Sequence, residues 1–236
     1  MFIYILEEKR NVNTFISHTD RYLWYPGVVA LMASFSINPA PPAGATIPQI
    51  VVWGKEHQVL IEFGAWLQGI GSLLEVIFML GLLKLADSTR TLAGMVTAFA
   101  ATVIVGISFV EVSFYLSAIA GGVSGDMATL GVSLNLIKAI QHAYVIAPAP
   151  ANLIAIGIVL ISSRLTPRVF GYIAFVLGAV LAILGLIGTY IPMQDVIDMV
   201  LSVQEVWYLA IAITLIVTAR RVAASVQPVP AIAVEA

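Results

Sequence analysis

Three polar side chains inside long apolar stretches are the candidates for chemistry. Glu75 lies within one such stretch, and Gln68 precedes it by seven residues, on the same face of a helix. Glu205 lies in a later apolar stretch. An ionisable group inside a bilayer is costly, so such a group is a functional candidate by default. The sequence therefore predicts a ligand-binding site anchored by Glu75 and lined by Gln68, with its mouth on the side of Glu205.

Glu75 itself has two interpretations. Counted from Lys84, it lies about 14 Å into the membrane, near its middle, whereas Glu111 and Glu205 lie nearer the far surface. In one interpretation, Glu75 binds a proton, a cation or the polar head of a ligand. In the other, it is a hydrogen-bonded acid that holds helices together. We expect it to be the one deeply buried ionisable residue, neutral or hydrogen-bonded. Its expected donors are Thr97, Thr102 and Asn152.

Other kinds of chemistry lack the residues that they need. The chain has no cysteine, no His-Glu-x-x-His, no Glu-x-x-His and no Gly-x-Ser-x-Gly. We therefore expect no metal, no cofactor and no enzymatic activity. Haem ligation by His57 and His142 is an alternative, disfavoured because such ligands lie on facing helices within a bundle. A net charge of −2 gives no reason to expect nucleic acid as a partner.

The elements that must position these residues are membrane helices. Of 236 residues, 60% are hydrophobic and 10% are charged, and the mean hydropathy is +1.00. Soluble domains are about one-quarter charged. The predicted fold is an all-α, polytopic transmembrane helix bundle with six spans. Thr166 before Pro167 predicts the start of the fifth span, and the glycines of 121–125 predict a loop after the third. The spans are 22–38, 57–84, 91–120, 145–163, 170–190 and 199–218.

The stretch 126–163 is too long for one span, and the charges decide how it crosses. A single crossing leaves nine basic residues on one side and Lys55 alone on the other, with Lys138 undecided, as the positive-inside rule favours. The part 127–143 carries Asn135, Lys138 and His142 on one arc, and this predicts an amphipathic helix on the outer surface. The predicted domains are a cytoplasmic segment 1–21, a six-span domain 22–219 and a cytoplasmic tail 220–236, in the cell (plasma) membrane.

Small residues recur along the fifth span. A heptad spacing is followed by Gly171, Ala174, Gly178, Leu181, Gly185 and Gly188, which indicates a surface for close helix packing. This packing could be within the bundle or between protomers. The expected partners are membrane lipids, and a homo-oligomer or partner membrane protein could associate through Gly171, Gly178 and Gly185.

Two segments resemble a family of bacterial multi-pass membrane proteins defined as a domain of unknown function, DUF4386. In 47–85, a loop ends in Glu56-His57 and runs into a glycine-rich span. The second segment is 162–171, which resembles that family's Ser-x-x-x-Pro-Arg-x-x-Gly link. The resemblance implies the architecture and transfers no chemistry.

Together these patterns predict an integral membrane protein with a non-enzymatic role, such as an accessory or structural component. The alternative is a protein that binds or transports a small molecule, a lipid or an ion in a bundle pocket anchored by Glu75.

Overall fold

The described part of the chain is entirely helical outside its turns. The computed structural model describes residues 45–163, 165–191 and 194–225, together with residues 33 and 37; the side chains of 194, 195, 198, 216 and 219–225 are outside this description. Within these residues there are seven α-helices and no strand. They are α1 (Ile47–Glu56), α2 (Gln58–Leu85), α3 (Leu92–Ser124), α4 (Met127–Ile146), α5 (Pro148–Ser163), α6 (Arg168–Gly188) and α7 (Gln194–Ser225).

A short turn joins α2 to α3, and these helices pack antiparallel. Thr91 caps α3, because its hydroxyl accepts from the backbone N–H of Gly94 at 3.1 Å. Contacts between the helices run in opposite directions along them: Ser72 lies against Ser108, and Gln68 lies against Glu111. The α2–α3 hairpin therefore fixes which polar residues of the two helices meet.

A second hairpin joins α3 to α4. The expected loop at 121–125 is wrong, since α3 continues to Ser124 and only Gly125 leaves it, with a φ of 80° that suits glycine. Asp126 then caps α4, accepting from the backbone N–H groups of Ala128 and Thr129 at 3.1 Å each. Two residues thus reverse the chain, so α4 packs closely along the last turns of α3.

The helix predicted for the outer surface is an arm of this hairpin. Its buried side chains, Leu130, Ser133 and Ile137, face the bundle, and Lys138 is exposed. Tertiary packing on α3 joins it to the bundle, which the local polar arc could not reveal. Its position relative to the membrane surface stays a prediction.

A kink at Ala147 separates α4 from α5. Residues before proline avoid the helical region, and Ala147 has φ −139° before Pro148. Both helices nevertheless run in one direction along α6. Gly188 approaches His142, and Gly171 lies against Gly157.

The interface between α5 and α6 is made by backbone contact. A Cβ on Gly171 would lie 2.7 Å from the carbonyl oxygen of Gly157, and one on Gly178 would lie 3.0 Å from the backbone nitrogen of Ile154. Gly185 would meet the carbonyl oxygen of Val145 at 2.7 Å. The predicted small-residue surface therefore packs within the chain. Association between protomers through it stays a prediction, and it would need α6 to leave α5.

The start of α6 differs from the prediction at one residue. Thr166 does not cap the helix; its hydroxyl is buried without a hydrogen-bond partner among the described residues, and Pro167 is the capping position. Nearby, the indole N–H of Trp207 donates to the carbonyl oxygen of Phe170 at 3.0 Å. This bond ties α7 to the first turn of α6.

Within the described residues, four helical stretches are long and apolar enough to cross a membrane, which indicates a membrane protein. They are Gln58–Leu85, Leu92–Ser124, Met127–Ser163 and Arg168–Gly188, and Met199–Leu215 is a shorter apolar segment. The predicted first span, the segment 1–21 and residues 226–236 lie outside the described residues.

Candidate functional site

The buried face of α2 changes character half-way along the helix. Gln68, Ser72 and Glu75 are buried and share this face. Phe78 and Leu82 follow on it, apolar and fully enclosed in the hydrophobic core. The polar residues therefore occupy one half of the bundle and end at an apolar cluster.

Glu111 joins three helices at one end of this polar stripe. Its Oε2 accepts from Nε2 of Gln68 on α2 at 2.7 Å. Its Oε1 accepts from Nε2 of Gln141 on α4, also at 2.7 Å. Each carboxyl oxygen of Glu111 thus has an amide donor, which is the arrangement that stabilises a buried carboxyl group.

Tyr208 of α7 lies beside Glu75 at the other end of the stripe. Its hydroxyl is hydrogen-bonded to Glu75, and it accepts from Nδ2 of Asn152 on α5 at 3.1 Å. Because the phenol oxygen accepts from Asn152, its own proton is directed to the Glu75 carboxyl group. The three residues link α5, α7 and α2.

Gln204, Glu205 and Tyr144 form a third group, between those of Glu111 and Glu75. Nε2 of Gln204 on α7 donates to the hydroxyl of Tyr144 on α4 at 2.8 Å. Glu205, the next residue, interacts electrostatically with Glu75. Tyr144 is within electrostatic range of all three carboxyl groups. Among the three acids, Glu75 and Glu205 act on each other, and Glu111 acts on Tyr144.

We call the residues of these three groups, together with Ser72 and Ser108, the polar column. Gln141 lies next to the end of α6, because the following residue approaches Gly188. Asn152 is level with the middle of α6, because the following residue packs against Gly178. The column is thus about 16 Å long. Its members are Gln68, Ser72, Glu75, Ser108, Glu111, Gln141, Tyr144, Asn152, Gln204, Glu205 and Tyr208.

The buried side-chain atoms of the column that lack a partner are acceptors. Three of its oxygen atoms are buried and have no hydrogen-bond partner among the described residues: Oδ1 of Asn152, Oε1 of Gln204 and Oε2 of Glu205. A buried acceptor without a donor is costly. Amide and hydroxyl groups, rather than basic side chains, donate to Glu75 and Glu111. The column is therefore suited to a species that carries positive charge or donates hydrogen bonds.

The three predicted site residues are brought together in this column. Glu75 is 8% exposed and Gln68 is 6% exposed, while Glu205 is half-buried. Their role in binding a ligand stays a prediction. Two expected donors to Glu75 are wrong, because the hydroxyls of Thr97 and Thr102 donate to carbonyl oxygens of their own helix. The third, Asn152, reaches Glu75 through Tyr208.

Sequence reasoning missed most of the partners in the column. Counting depth along separate helices made Glu111 an interfacial acid and left Gln141 unassigned. A usable signal exists, since Glu111 lies 14 residues before Gly125 and Gln141 lies 16 residues after it. A tight antiparallel hairpin centred on that glycine brings such positions together. No comparable signal predicts that Asn152 meets Tyr208, 56 residues away.

The two histidines considered as haem ligands are not members of the polar column. Nδ1 of His57 bonds the carbonyl oxygen of Trp53 at 2.9 Å, and Nε2 of His142 bonds the hydroxyl of Thr189 at 3.3 Å.

Among the described residues, neither two surface cavities nor a group of possible metal ligands gives a second candidate site. The cavities, of about 310 and 430 Å³, lie at the α3–α4 hairpin and beside α1. Within the described ranges, no three His, Cys, Asp or Glu side chains are grouped to hold a metal ion. No protein-family model, curated protein or solved structure significantly resembles the chain. The geometry of the column is therefore the basis for a functional assignment.

Proposed function

We propose that the chain is a multi-pass protein of the cell (plasma) membrane, without enzymatic activity, that binds a small monovalent cation in its polar column. Three buried acceptors carry this proposal: Oδ1 of Asn152, Oε1 of Gln204 and Oε2 of Glu205 have no donor among the described residues. A cation in contact with such oxygens would remove the cost of leaving them unpaired. The adjacent Glu75 would supply the compensating charge.

The proposed topology has six spans and both termini in the cytoplasm, with membrane lipids as the surrounding partners. It follows from the charge split, and it puts Arg168 at the cytoplasmic end of α6. The column would then open at the outer end of α6 and stop half-way across, at the apolar cluster. Membership of the DUF4386 family is part of the proposal and rests on 47–85 and 162–171.

Cysteine labelling in intact cells tests this topology. Thr89 and Ser124 are both exposed, at opposite ends of α3. An impermeant thiol reagent should label Ser124→Cys from outside and should label Thr89→Cys only after the cells are opened. The reverse pattern would contradict the topology.

Thermal unfolding of the purified protein tests cation binding. Na⁺, K⁺ and methylammonium are compared with choline at constant ionic strength and pH. A ligand at 100 times its Kd stabilises the folded state by about 2.7 kcal/mol, so a specific cation should raise the Tm clearly. Glu75→Gln should lose this increase. Glu62→Gln changes an exposed acid on the same helix and should keep it.

A structural role without a ligand is the second candidate. The close backbone packing of α5 on α6 favours it, because that interface is built for rigidity. If none of the three cations raises the Tm of the wild-type protein more than that of Glu75→Gln, this role replaces the binding role.

A further inference from the structure

The face of α4 that packs on α3 carries polar and apolar residues in turn. Ser133, Ile137 and Gln141 are four residues apart and therefore lie on one face of the helix. Oγ of Ser133 donates to Oγ of Ser117 on α3 at 2.9 Å. Nε2 of Gln141 donates to Glu111 on α3 at 2.7 Å. Ile137 lies between these two contacts and is only 5% exposed, so it faces α3.

Phe114 is the residue of α3 at the level of Ile137. It lies midway along the chain between Glu111 and Ser117, and Ile137 lies midway between their two partners on α4. Because the two helices run antiparallel, these midpoints meet. Phe114 and Ile137 therefore form an apolar layer between two polar contacts, which are about 9 Å apart along α3.

A recess lies on the outer side of this apolar layer. The cavity of about 310 Å³ at the α3–α4 hairpin is lined by three hydroxyl-bearing residues, Ser117, Thr129 and Ser133, and Phe114 forms part of its wall. On the other side of the layer, Glu111 begins the polar column. The apolar layer therefore separates the recess from the column.

Such a layer opposes the passage of ions. Water leaves a narrow apolar constriction, and an ion that crosses it gives up hydration without gaining a ligand. The opposite end of the column is closed by the apolar core, which includes Phe78 and Leu82. The recess is therefore the polar approach to the column, and the apolar layer is the barrier on it.

We infer that the apolar layer of Phe114 and Ile137 is the gate of the polar column, and that a monovalent cation reaches it from the hydroxyl-lined recess. The inference rests on the proposed function and adds the route of the ligand. Neither residue of the gate is a member of the column. The gate therefore sets the rate at which the cation enters and leaves, while the column sets the affinity.

The rate at which Ag⁺ reaches a thiol behind the layer tests the gate. The chain has no cysteine, so Ser72→Cys introduces a single thiol at a buried position of the column, and thiols bind soft cations. Ag⁺ is added to the purified full-length protein in detergent, and the thiol left free is counted by alkylation after unfolding. Ile137→Thr and Ile137→Val are a matched pair, because both side chains are β-branched and they differ by a hydroxyl group.

The two variants should differ in rate. Ile137→Thr should speed the reaction at Ser72→Cys about tenfold, because a hydroxyl group in the layer can hydrogen-bond to the water around the passing ion. Ile137→Val keeps the layer apolar and should stay within about twofold of the wild-type rate. Ser117→Cys lies in the recess and should react at the same rate whichever residue stands at position 137.

Each outcome decides for or against the gate. Equal rates at Ser72→Cys with Ile137 and with Ile137→Thr overturn the inference. Equal acceleration by Ile137→Thr and Ile137→Val also overturns it, because looser packing would then admit the ion. Phe114→Tyr adds a hydroxyl group to the same layer and gives the same test if Ile137→Thr does not fold. The proposed function fails separately, when no cation raises the Tm, whatever the rates with Ag⁺.

Discussion

The α5–α6 interface and the polar column solve opposite packing problems in one bundle. Along α5–α6, glycines let two backbones approach until a Cβ on Gly171 or Gly185 would lie 2.7 Å from a carbonyl oxygen. In the column, helices are held apart by long side chains such as Tyr144, Gln204 and Tyr208, which meet through their polar ends.

The difference shows where the chain leaves interactions incomplete. At the α5–α6 glycines, the neighbouring atoms are backbone atoms and side-chain carbons. The column instead carries three buried oxygens without donors in the described chain. Substitutions in the two regions should therefore differ both in the size of their effect and in its kind.

The largest effect is expected from Gly178→Leu. The new side chain would begin 3.0 Å from the backbone nitrogen of Ile154, so α5 and α6 must move apart. Overpacking of this severity should cost about 3 kcal/mol of stability. Thermal unfolding or chemical denaturation in detergent measures it. Gly106→Leu is the control, because a Cβ there meets open space. Equal losses in both variants would remove the distinction between the two regions.

A smaller loss is expected from Glu75→Leu. It leaves the Tyr208 hydroxyl without its acceptor, which should cost about 0.5–2 kcal/mol, the usual range for interhelical hydrogen bonds in membranes. Glu75→Gln should stay close to wild type in stability, since an amide still accepts from the phenol. Denaturation curves of the two variants, with Glu62→Leu as the control, measure the difference. A Gln variant as unstable as the Leu variant would contradict this view of the contact.

Tyr208→Phe should be milder still. It removes the donor to Glu75 and the acceptor for Asn152 but keeps the ring that packs in the core, so the loss should be about 1 kcal/mol. Tyr172→Phe, at an exposed position of α6, should change nothing measurable. The unfolding midpoints of the two variants measure this difference in stability. Equal midpoints would mean that the hydrogen bonds of Tyr208 do not contribute to stability.

The smallest effect concerns Asp126, at the turn between α3 and α4. Hydrogen bonds from the hydroxyl and backbone of Thr129 hold the pKa of this exposed carboxyl group below its usual value. A lowered folded-state pKa gives stability that is present above the unfolded-state value and is lost as the pH falls through the folded-state value. The Tm gap between wild type and Asp126→Ala should therefore be small at pH 7 and shrink below about pH 4. A gap that widens in acid would refute this.

Local sequence patterns were sufficient for the helices themselves. The apolar stretches at 57–84 and 170–190 correspond to α2 and α6, whose ends differ from the prediction by one or two residues. The face that carries Gln68 and Glu75 was predictable from helical periodicity. Errors arose at the ends, at Thr166 and at 121–125, because capping depends on the exact turn that the chain makes.

The sequence by itself determined that the chain forms apolar helices, which face of α2 carries Glu75 and which surface of α6 packs closely, because these follow from composition and from the period of a helix. Tertiary structure alone decided that Glu111 bonds Gln68 and that Tyr208 stands between Asn152 and Glu75. Gln68 and Glu111 are 43 residues apart in the chain, and Asn152 and Tyr208 are 56 residues apart. The turns and the kink at Ala147 set how far each helix slides along its neighbours, and a shift of one turn, about 5.4 Å, would break every one of these bonds.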